Sequence, residues 1–194
     1  MKTLPAVLSA LLLAGCGRSA YVAGPHSPMD RDPDDNPAAL VSAVVDSWST
    51  PSALAARRLI DKYGPPDQVF STRLAWTSAD PWSSIVVWDE TPPYEPDAGL
   101  TVMQQNLLYP LTAGQQADLQ AFSDKLVIDR KADLLGARGA SEEECVLRMN
   151  LAHDVVVGLL KPEEARLEYG KILALSKAGK TSPYTRGLLF SFGH

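Results

Sequence analysis

Apolar residues recur at helical spacing in five segments of the chain, and each segment has a recognisable start or end. Proline at the first helical position, or a serine or threonine followed three residues later by glutamate or glutamine, is typical of a helix start. Glycine just past the last apolar residue is typical of a helix end. The sequence therefore predicts helices that begin at Pro37, at Thr50, after Thr112, after Ser141 and at Pro162, the second of which ends at Gly64.

Apolar and polar residues alternate between the second and third predicted helices, which is the pattern of half-buried strands. Residues 70–76 and 82–88 show it most clearly, and "TSADP" lies between them. They predict a hairpin in which Trp82, Val86 and Trp88 share one face.

The remaining strand patterns are shorter. Residues 100–108 predict a third strand, residues 126–137 a second hairpin, and the tail "GLLFSF" (187–192) an edge strand. Strands and helices do not alternate as βαβ units. The predicted fold class is therefore α+β, with a small antiparallel sheet built from hairpins, short N-terminal helices and two longer C-terminal helices.

The first 36 residues have a different pattern. Lys2 precedes an apolar run from Leu4 to Leu13, which is typical of an export signal and shorter than the roughly 20 apolar residues of a membrane span. Residues 17–36 are rich in proline, glycine and acids, so we expect a flexible tether. The expected organisation is a signal peptide at 1–15, a lipidated cysteine and tether at 16–36, and one domain at 37–194.

Leu13, Ala14 and Gly15 are followed at once by Cys16, and this stretch resembles the lipobox of bacterial lipoproteins. The resemblance implies a diacylglyceryl group on the Cys16 thiol, cleavage before it and an acylated (palmitate-type) amino terminus, so the expected partner at this end is the membrane. Several acyl chains on one cysteine give durable anchoring. The expected location is the cell envelope, and Gly17 after the cysteine favours the outer membrane, facing the periplasm. The alternative is an ordinary secretory signal with a chance cysteine.

Composition narrows the classes of partner and chemistry. The formal net charge is −5 without a basic run, which argues against nucleic acid. The chain has two cysteines, so lipidation of Cys16 leaves Cys145 without an internal partner. Three acids precede Cys145 and raise a thiol pKa, which favours a packed, inert thiol.

Candidate catalytic groups are few. His153 is the one histidine inside a predicted element, and it is either the base of a nucleophilic site or, as we favour, a histidine hydrogen-bonded at the edge of the core. Asp89, Glu90, Glu95 and Asp97 cluster in one loop, where they suit calcium or an acid–base pair, although a solvated loop is favoured. No zinc-ligand or phosphate-loop spacing occurs, so we expect no metal and no cofactor.

Aromatic residues are the other candidates for binding. Exposed, those of the hairpin would form a platform for sugar rings or for a partner's apolar side chains; buried, they would be cross-strand pairs of the core, which we favour. "TSPYTRG" (181–187) is either a docking loop or a solvated turn, the latter favoured. The candidate binding surface comprises Trp76, Trp82, Trp88, Tyr94, Tyr184 and Arg186.

The stretch "LIDKYGPPDQVFSTRLAW" (59–76) resembles the helix-to-sheet transition of small outer-membrane assembly lipoproteins of the SmpA/OmlA type. Here the helix opens with "STPSAL" in place of the usual "GMT", and those proteins have no counterpart to the helical C-terminal half. The resemblance implies an envelope address and a scaffolding role, and no functional residue.

The sequence thus predicts a lipid-anchored envelope protein whose domain binds another envelope protein or a glycan without catalysis. The alternative is an envelope enzyme acting on cell-wall or glycan material, with Asp89, Glu90 or His153 as acid–base groups. A third possibility is a domain that only stabilises a larger complex, with the 181–187 loop as its docking point.

Overall fold

A computed structural model describes residues 37–89 and 100–191, and within them five helices and an antiparallel sheet of six strands confirm the α+β class. These elements belong to one compact unit, Asn36–His194. The helices are α1 Pro37–Asp46, α2 Thr50–Tyr63, α3 Ala113–Phe122, α4 Glu142–Val156 and α5 Pro162–Lys177. The strands are β1 Gln68–Phe70, β2 Arg73–Trp76, β3 Ser84–Trp88, β4 Met103–Leu108, β5 Leu126–Asp129 and β6 Leu134–Gly139.

The helix boundaries follow the predicted signals closely. α2 ends at Gly64, whose positive φ of 81° suits glycine and whose N–H bonds back to the carbonyl of Ile60. The capping box before α3 is complete, with Thr112 and Gln115 bonded reciprocally. The one before α4 is only half formed, because the Glu144 carboxylate accepts from the N–H of Ala140. None of the described helices is long and apolar enough to cross a bilayer.

The strands form one sheet in the order β1-β2-β3-β4-β6-β5. Both predicted hairpins exist, as β2–β3 and β5–β6. The first strand is shorter than predicted, because a turn at residues 71–72 divides it into β1 and β2. The third strand likewise begins at Met103 and not at residue 100.

The predicted edge strand in the tail is wrong. Residues 187–191 contain no strand, and a 3-10 turn at Pro183–Thr185 precedes them. Asn150 of α4, which is 1% exposed, fixes this segment: its side chain donates to the carbonyls of Tyr184 and Gly187 and accepts from the N–H of Leu189. The tail packs against a helix because a buried amide satisfies its backbone there.

The two faces of the sheet have different surroundings. The face towards the helices carries the fully buried side chains of the core, and α4 packs on β4 and β6 with every residue from Cys145 to Ala152 buried. Residues at the alternate positions point away from the helices. The core positions of the central strands are Leu74, Trp76, Ile85, Val87, Met103, Gln105, Leu107, Leu135 and Ala137.

Candidate functional site

The face of the sheet that points away from the described helices, here called the outer face, is one candidate surface. The register places its residues in rows across the strands. Phe70 is 46% exposed and Leu108 64% exposed, so this face presents large apolar side chains to solvent. The other side chains of this face include Arg73, Ser84, Val86, Trp88, Gln104, Asn106 and Arg138.

A chain of side-chain hydrogen bonds crosses the middle of the outer face. The side-chain amide of Asn106 donates to the Ser84 hydroxyl (2.9 Å), and that of Gln104 donates to Oδ1 of Asn106 (2.7 Å). Arg138 in turn donates its Nε–H to Oε1 of Gln104 at 2.9 Å. Each amide uses both its donor and its acceptor, so the chain fixes the orientation of all four groups.

Gly136 of β6 leaves the space that this chain of hydrogen bonds occupies. A Cβ built at that position would lie 2.2 Å from the Asn106 Oδ1 and 3.3 Å from the Gln104 Nε2. Only a residue without a side chain therefore lets Asn106 lie flat across the sheet. The glycine is a requirement of the hydrogen-bonded chain and not of a turn.

Aromatic and cationic side chains alternate along one end of the outer face. The Arg73 guanidinium lies 4.5 Å from the centroid of the Phe70 ring, and the Arg138 guanidinium lies 5.7 Å from that of Trp88. Both distances suit cation–π attraction, worth about 0.5–1 kcal/mol at an exposed site. These four residues are here called the arginine–aromatic patch.

A second cluster lies on the helix side, where α2 meets the start of α4. Oε1 of Glu142 accepts from the Tyr63 hydroxyl (2.5 Å), the Lys62 ammonium (2.9 Å) and the Gln105 amide (3.2 Å). The Trp82 indole donates to the Tyr63 hydroxyl at 3.2 Å. The cluster separates two surface grooves of about 440 and 340 Å³, both lined by Lys62 and Glu142.

The surroundings shift the pKa values of this cluster. Burial by itself opposes ionisation of Glu142, but the hydrogen bonds from Tyr63, Lys62 and Gln105 outweigh it and hold the Glu142 pKa below its ordinary 4.5. Partial burial opposes the charge of Lys62, and its bond to Glu142 nevertheless raises the Lys62 pKa. Burial, and then the bond to Glu142, raises the Tyr63 pKa. Glu142 is thus held ionised, a state that suits an anchoring role better than proton transfer.

The predicted aromatic surface is divided between core and outer face. Trp76 and Trp82 are 2% and 3% exposed, and the Trp76 indole donates to the carbonyl of Gly64, so neither offers a platform. The expectation that Trp82 shares a buried face with Trp88 and Val86 is wrong: the core face of β3 carries Ile85 and Val87 instead. Trp88 alone of these three tryptophans lies on the outer face. Tyr94 lies outside the described residues.

The two candidates from the tail are held by local bonds. The Tyr184 hydroxyl donates to Asp154 at 2.7 Å, which with burial raises the Tyr184 pKa to about 12. Arg186 is exposed, donates to the Thr181 hydroxyl and lines the 340 Å³ groove together with Trp82.

The candidate catalytic groups have structural partners. Nδ1 of His153 lies 2.9 Å from the Tyr109 hydroxyl, the imidazole stacks on Phe190 at 4.2 Å, and burial lowers the His153 pKa. Asp89 accepts from the N–H of Ser49. The loop acids Glu90, Glu95 and Asp97, and the lipidation candidate Cys16, lie outside the described residues.

Cys145 is fully buried, and desolvation raises its pKa far above the ordinary value. Its thiol is therefore protonated and out of reach of reagents at neutral pH. Among the described residues, no group of three histidine, cysteine or acidic side chains could hold a metal ion.

The arginine–aromatic patch was missed in the sequence, except for Trp88. Arg73 and Arg138 are isolated charges in their strands, and no motif near either of them in the sequence indicates that they belong to a binding surface. β4 gives no clear signal either, because Gln104, Gln105 and Asn106 are consecutive amides and Gln105 is fully buried on the core face.

Comparison of the chain with protein-family models, with curated proteins and with solved structures gives no match. The geometry of the outer face, and of the cluster around Glu142, is therefore what bears on function.

Proposed function

We propose that the protein is a lipid-anchored component of the cell envelope, held on the outer membrane through Cys16, whose α+β domain binds another envelope component without catalysis. The arginine–aromatic patch carries the proposal. Arginine and tryptophan are the residue types most enriched at interface hot spots, and Arg138 is already oriented by Gln104 and Trp88. A side chain fixed before binding loses less entropy when the partner arrives.

The candidate acid–base groups among the described residues, Asp89 and His153, support binding over catalysis. A general base needs a pKa near the working pH and a free position towards the substrate. The Asp89 carboxylate is bonded to the N–H of Ser49. His153 is paired with Tyr109, whose pKa burial raises to about 12.

The anchor is tested by detergent phase partitioning of the protein expressed in a diderm bacterium. The unaltered protein should enter the detergent phase with the mass of an acylated Cys16, and the Cys16→Ser variant should remain in the aqueous phase. Equal partitioning of the two proteins would refute the anchor.

The binding role is tested by tagged co-purification from detergent-solubilised envelope. A stoichiometric partner should come down with the unaltered protein and be lost with Arg138→Ala. The matched control is Arg166→Ala, which removes an exposed arginine that pairs with Glu163 on α5. Loss of the partner with both variants, or with neither, would contradict the assignment of the outer face.

A further inference from the structure

The strand register brings the four residues of the arginine–aromatic patch together from four strands. Phe70 of β1 pairs with Arg73 of β2, which pairs with Trp88 of β3, and Arg138 lies two strands further on, in β6. Ring and cation therefore alternate across the sheet. Among the described residues, no carboxylate forms an ion pair with Arg73 or Arg138.

Most donors of both arginines form no hydrogen bond to the residues that the structure describes. The side chain of Arg138 uses only its Nε–H within the described part of the chain, on Gln104, which leaves the two terminal nitrogens. Arg73 makes no side-chain hydrogen bond to any described residue. A guanidinium that lies on a ring still presents its N–H edge, and that edge matches the two oxygens of a carboxylate.

We propose that the arginine–aromatic patch binds an extended acidic segment of a partner polypeptide, with one carboxylate on Arg73, one on Arg138 and an apolar side chain on Trp88 between them. This inference rests on the proposed binding function and adds the chemistry of the partner. Charge complementarity carries it: two cations that form no ion pair with the residues the structure describes stand among apolar rings, on a chain whose net charge is −5.

The separation of the arginines sets the spacing of the acids. Three strand spacings separate β2 from β6, or about 14 Å at about 4.8 Å each. In the register Arg138 stands opposite Gln104 and Gln104 opposite Val86, so Arg138 is also offset by two residues, or about 7 Å, along the strands from the row of Arg73 and Trp88. The direct line between the two Cα positions is therefore about 16 Å. An extended chain rises about 3.4 Å per residue, so acids four residues apart span about 14 Å, their side chains cover the rest and, at even spacing, they share one face. Trp88 lies one strand spacing from Arg73 and two from Arg138, so the same-face residue nearest to it is the second residue after the acid that binds Arg73.

A narrow segment fits this charge pattern better than a flat anionic bilayer does. A peptide touches the patch alone, and at physiological salt charges more than about 8 Å away are largely screened. A bilayer is wider than the patch and would also approach other parts of a chain whose net charge is −5. An anionic lipid surface is therefore the competing ligand, and the experiment includes it.

The probe is a nine-residue peptide with glutamate at its third and seventh positions, leucine at the fifth and serine elsewhere. One control peptide carries glutamine in place of both glutamates, and another has the glutamates adjacent. The protein is the whole chain with Cys16→Ser, and the readout is the indole N–H resonances of its tryptophans in NMR titrations. Trp88 reports on the patch, while the buried Trp76 and Trp82, whose indoles bond to Gly64 and Tyr63, report on unspecific change.

The Trp88 resonance should shift on titration, and the affinity should fall about three- to ten-fold with Arg73→Gln or Arg138→Gln. It should fall further with the glutamine peptide and as salt is raised, and Arg166→Gln should leave it unchanged. The peptide with adjacent glutamates should bind like a singly charged one, because only one of them can face the sheet.

Equal binding of all three peptides, or shifts confined to the buried tryptophans, would overturn the proposal. So would arginine-dependent binding to vesicles containing phosphatidylglycerol without binding of the peptide. If the peptide fails while co-purification still depends on Arg138, the binding function stands and the acidic-segment chemistry is wrong. If co-purification fails as well, the binding function itself is wrong.

Discussion

Replacing Glu142 with alanine tests whether the cluster between α2 and α4 stabilises the fold. The change removes one oxygen on which three donors converge. Lys62 is 56% exposed and recovers water, whereas Gln105 is fully buried and does not. A stranded buried donor costs about 1–3 kcal/mol, and the half-buried Tyr63 hydroxyl adds about 1 kcal/mol. We therefore expect the free energy of unfolding to fall by about 2–4 kcal/mol.

Equilibrium unfolding in urea, followed by tryptophan fluorescence, measures this change, and the slope should stay constant if only stability is altered. Glu143→Ala is the matched control, because Glu143 is exposed and shares the first turn of α4. It loses the same favourable charge near the helix N-terminus, worth about 0.3–1 kcal/mol. If both variants lose the same stability, the hydrogen bonds of Glu142 contribute nothing beyond its charge.

The lowered pKa of Glu142 predicts the direction in which its stabilisation of the fold changes with pH. The folded pKa of Glu142 lies below the ordinary 4.5, so its stabilisation is fully present above pH 4.5 and is lost as pH falls through the folded pKa. The stability gap between the unaltered protein and Glu142→Gln should therefore shrink below pH 4.5. A gap that widened on acidification would refute the depressed pKa.

A second substitution tests whether the stability lost in Glu142→Ala comes from leaving the buried Gln105 donor without an acceptor. Gln105 has a buried Oε1 with no hydrogen-bond partner among the described residues, so Gln105→Met removes an unsatisfied acceptor along with the donor to Glu142. In the Glu142→Ala background it should recover about 1–2 kcal/mol, because replacing both partners of a buried bond by apolar groups is nearly neutral. Purely additive losses would contradict this explanation.

The remaining predictions concern the outer face, the tail and the buried thiol. Gly136→Ala should destabilise the protein by about 1–3 kcal/mol in thermal unfolding, because its Cβ would meet Asn106 at 2.2 Å. Asn150→Ala should cost about 2–3 kcal/mol and speed amide exchange at Leu189, which loses its acceptor. Cys145 should resist alkylation in the folded protein and react fully in urea.

Each of these has its own contradicting outcome. Gly170→Ala, in open space within α5, is the control for Gly136→Ala and should stabilise the protein by about 0.5–1 kcal/mol. If both variants lose stability, the clash with Asn106 does not explain the loss at Gly136. Unchanged exchange at Leu189 in the Asn150 variant would show that other contacts hold the tail. Rapid alkylation of Cys145 at neutral pH would reveal opening of α4.

Helix ends and hairpins were predictable because their determinants are local. Pro37, Gly64 and Thr112 act through backbone groups within four residues, and the structure places helix ends at all three. The tail was mispredicted because its determinant is distant. "GLLFSF" has the composition of a strand, but Asn150, 39 residues before Leu189, takes its backbone bonds. Local pattern cannot anticipate a buried amide on another element.

The outer face was harder to predict for a different reason. In β3, alternation separates Ile85 and Val87 from Val86 and Trp88, and both sets are apolar. Hydrophobicity therefore identifies two faces without saying which one the helices cover. The neighbouring strand β4 does not break that symmetry, because its amides fall on both faces: Gln104 and Asn106 on the outer face, and the fully buried Gln105 on the core face.

The hydrogen-bonded chain of the outer face also fixes the register on which the patch depends. A slip of one residue between β4 and β6 would place Leu135 or Ala137, and not Gly136, beneath Asn106, and would turn Arg138 towards the core. Two effects oppose that slip: the Arg138 charge would be buried without a partner, and the side chain of Leu135 or Ala137 would clash with Asn106. The contacts that orient Arg138 on the outer face are thus the same contacts that select this pairing of strands. A variant that disturbs Asn106 or Gly136 should lose stability and binding together, whereas Arg73→Gln and Arg138→Gln should weaken binding with little change in stability.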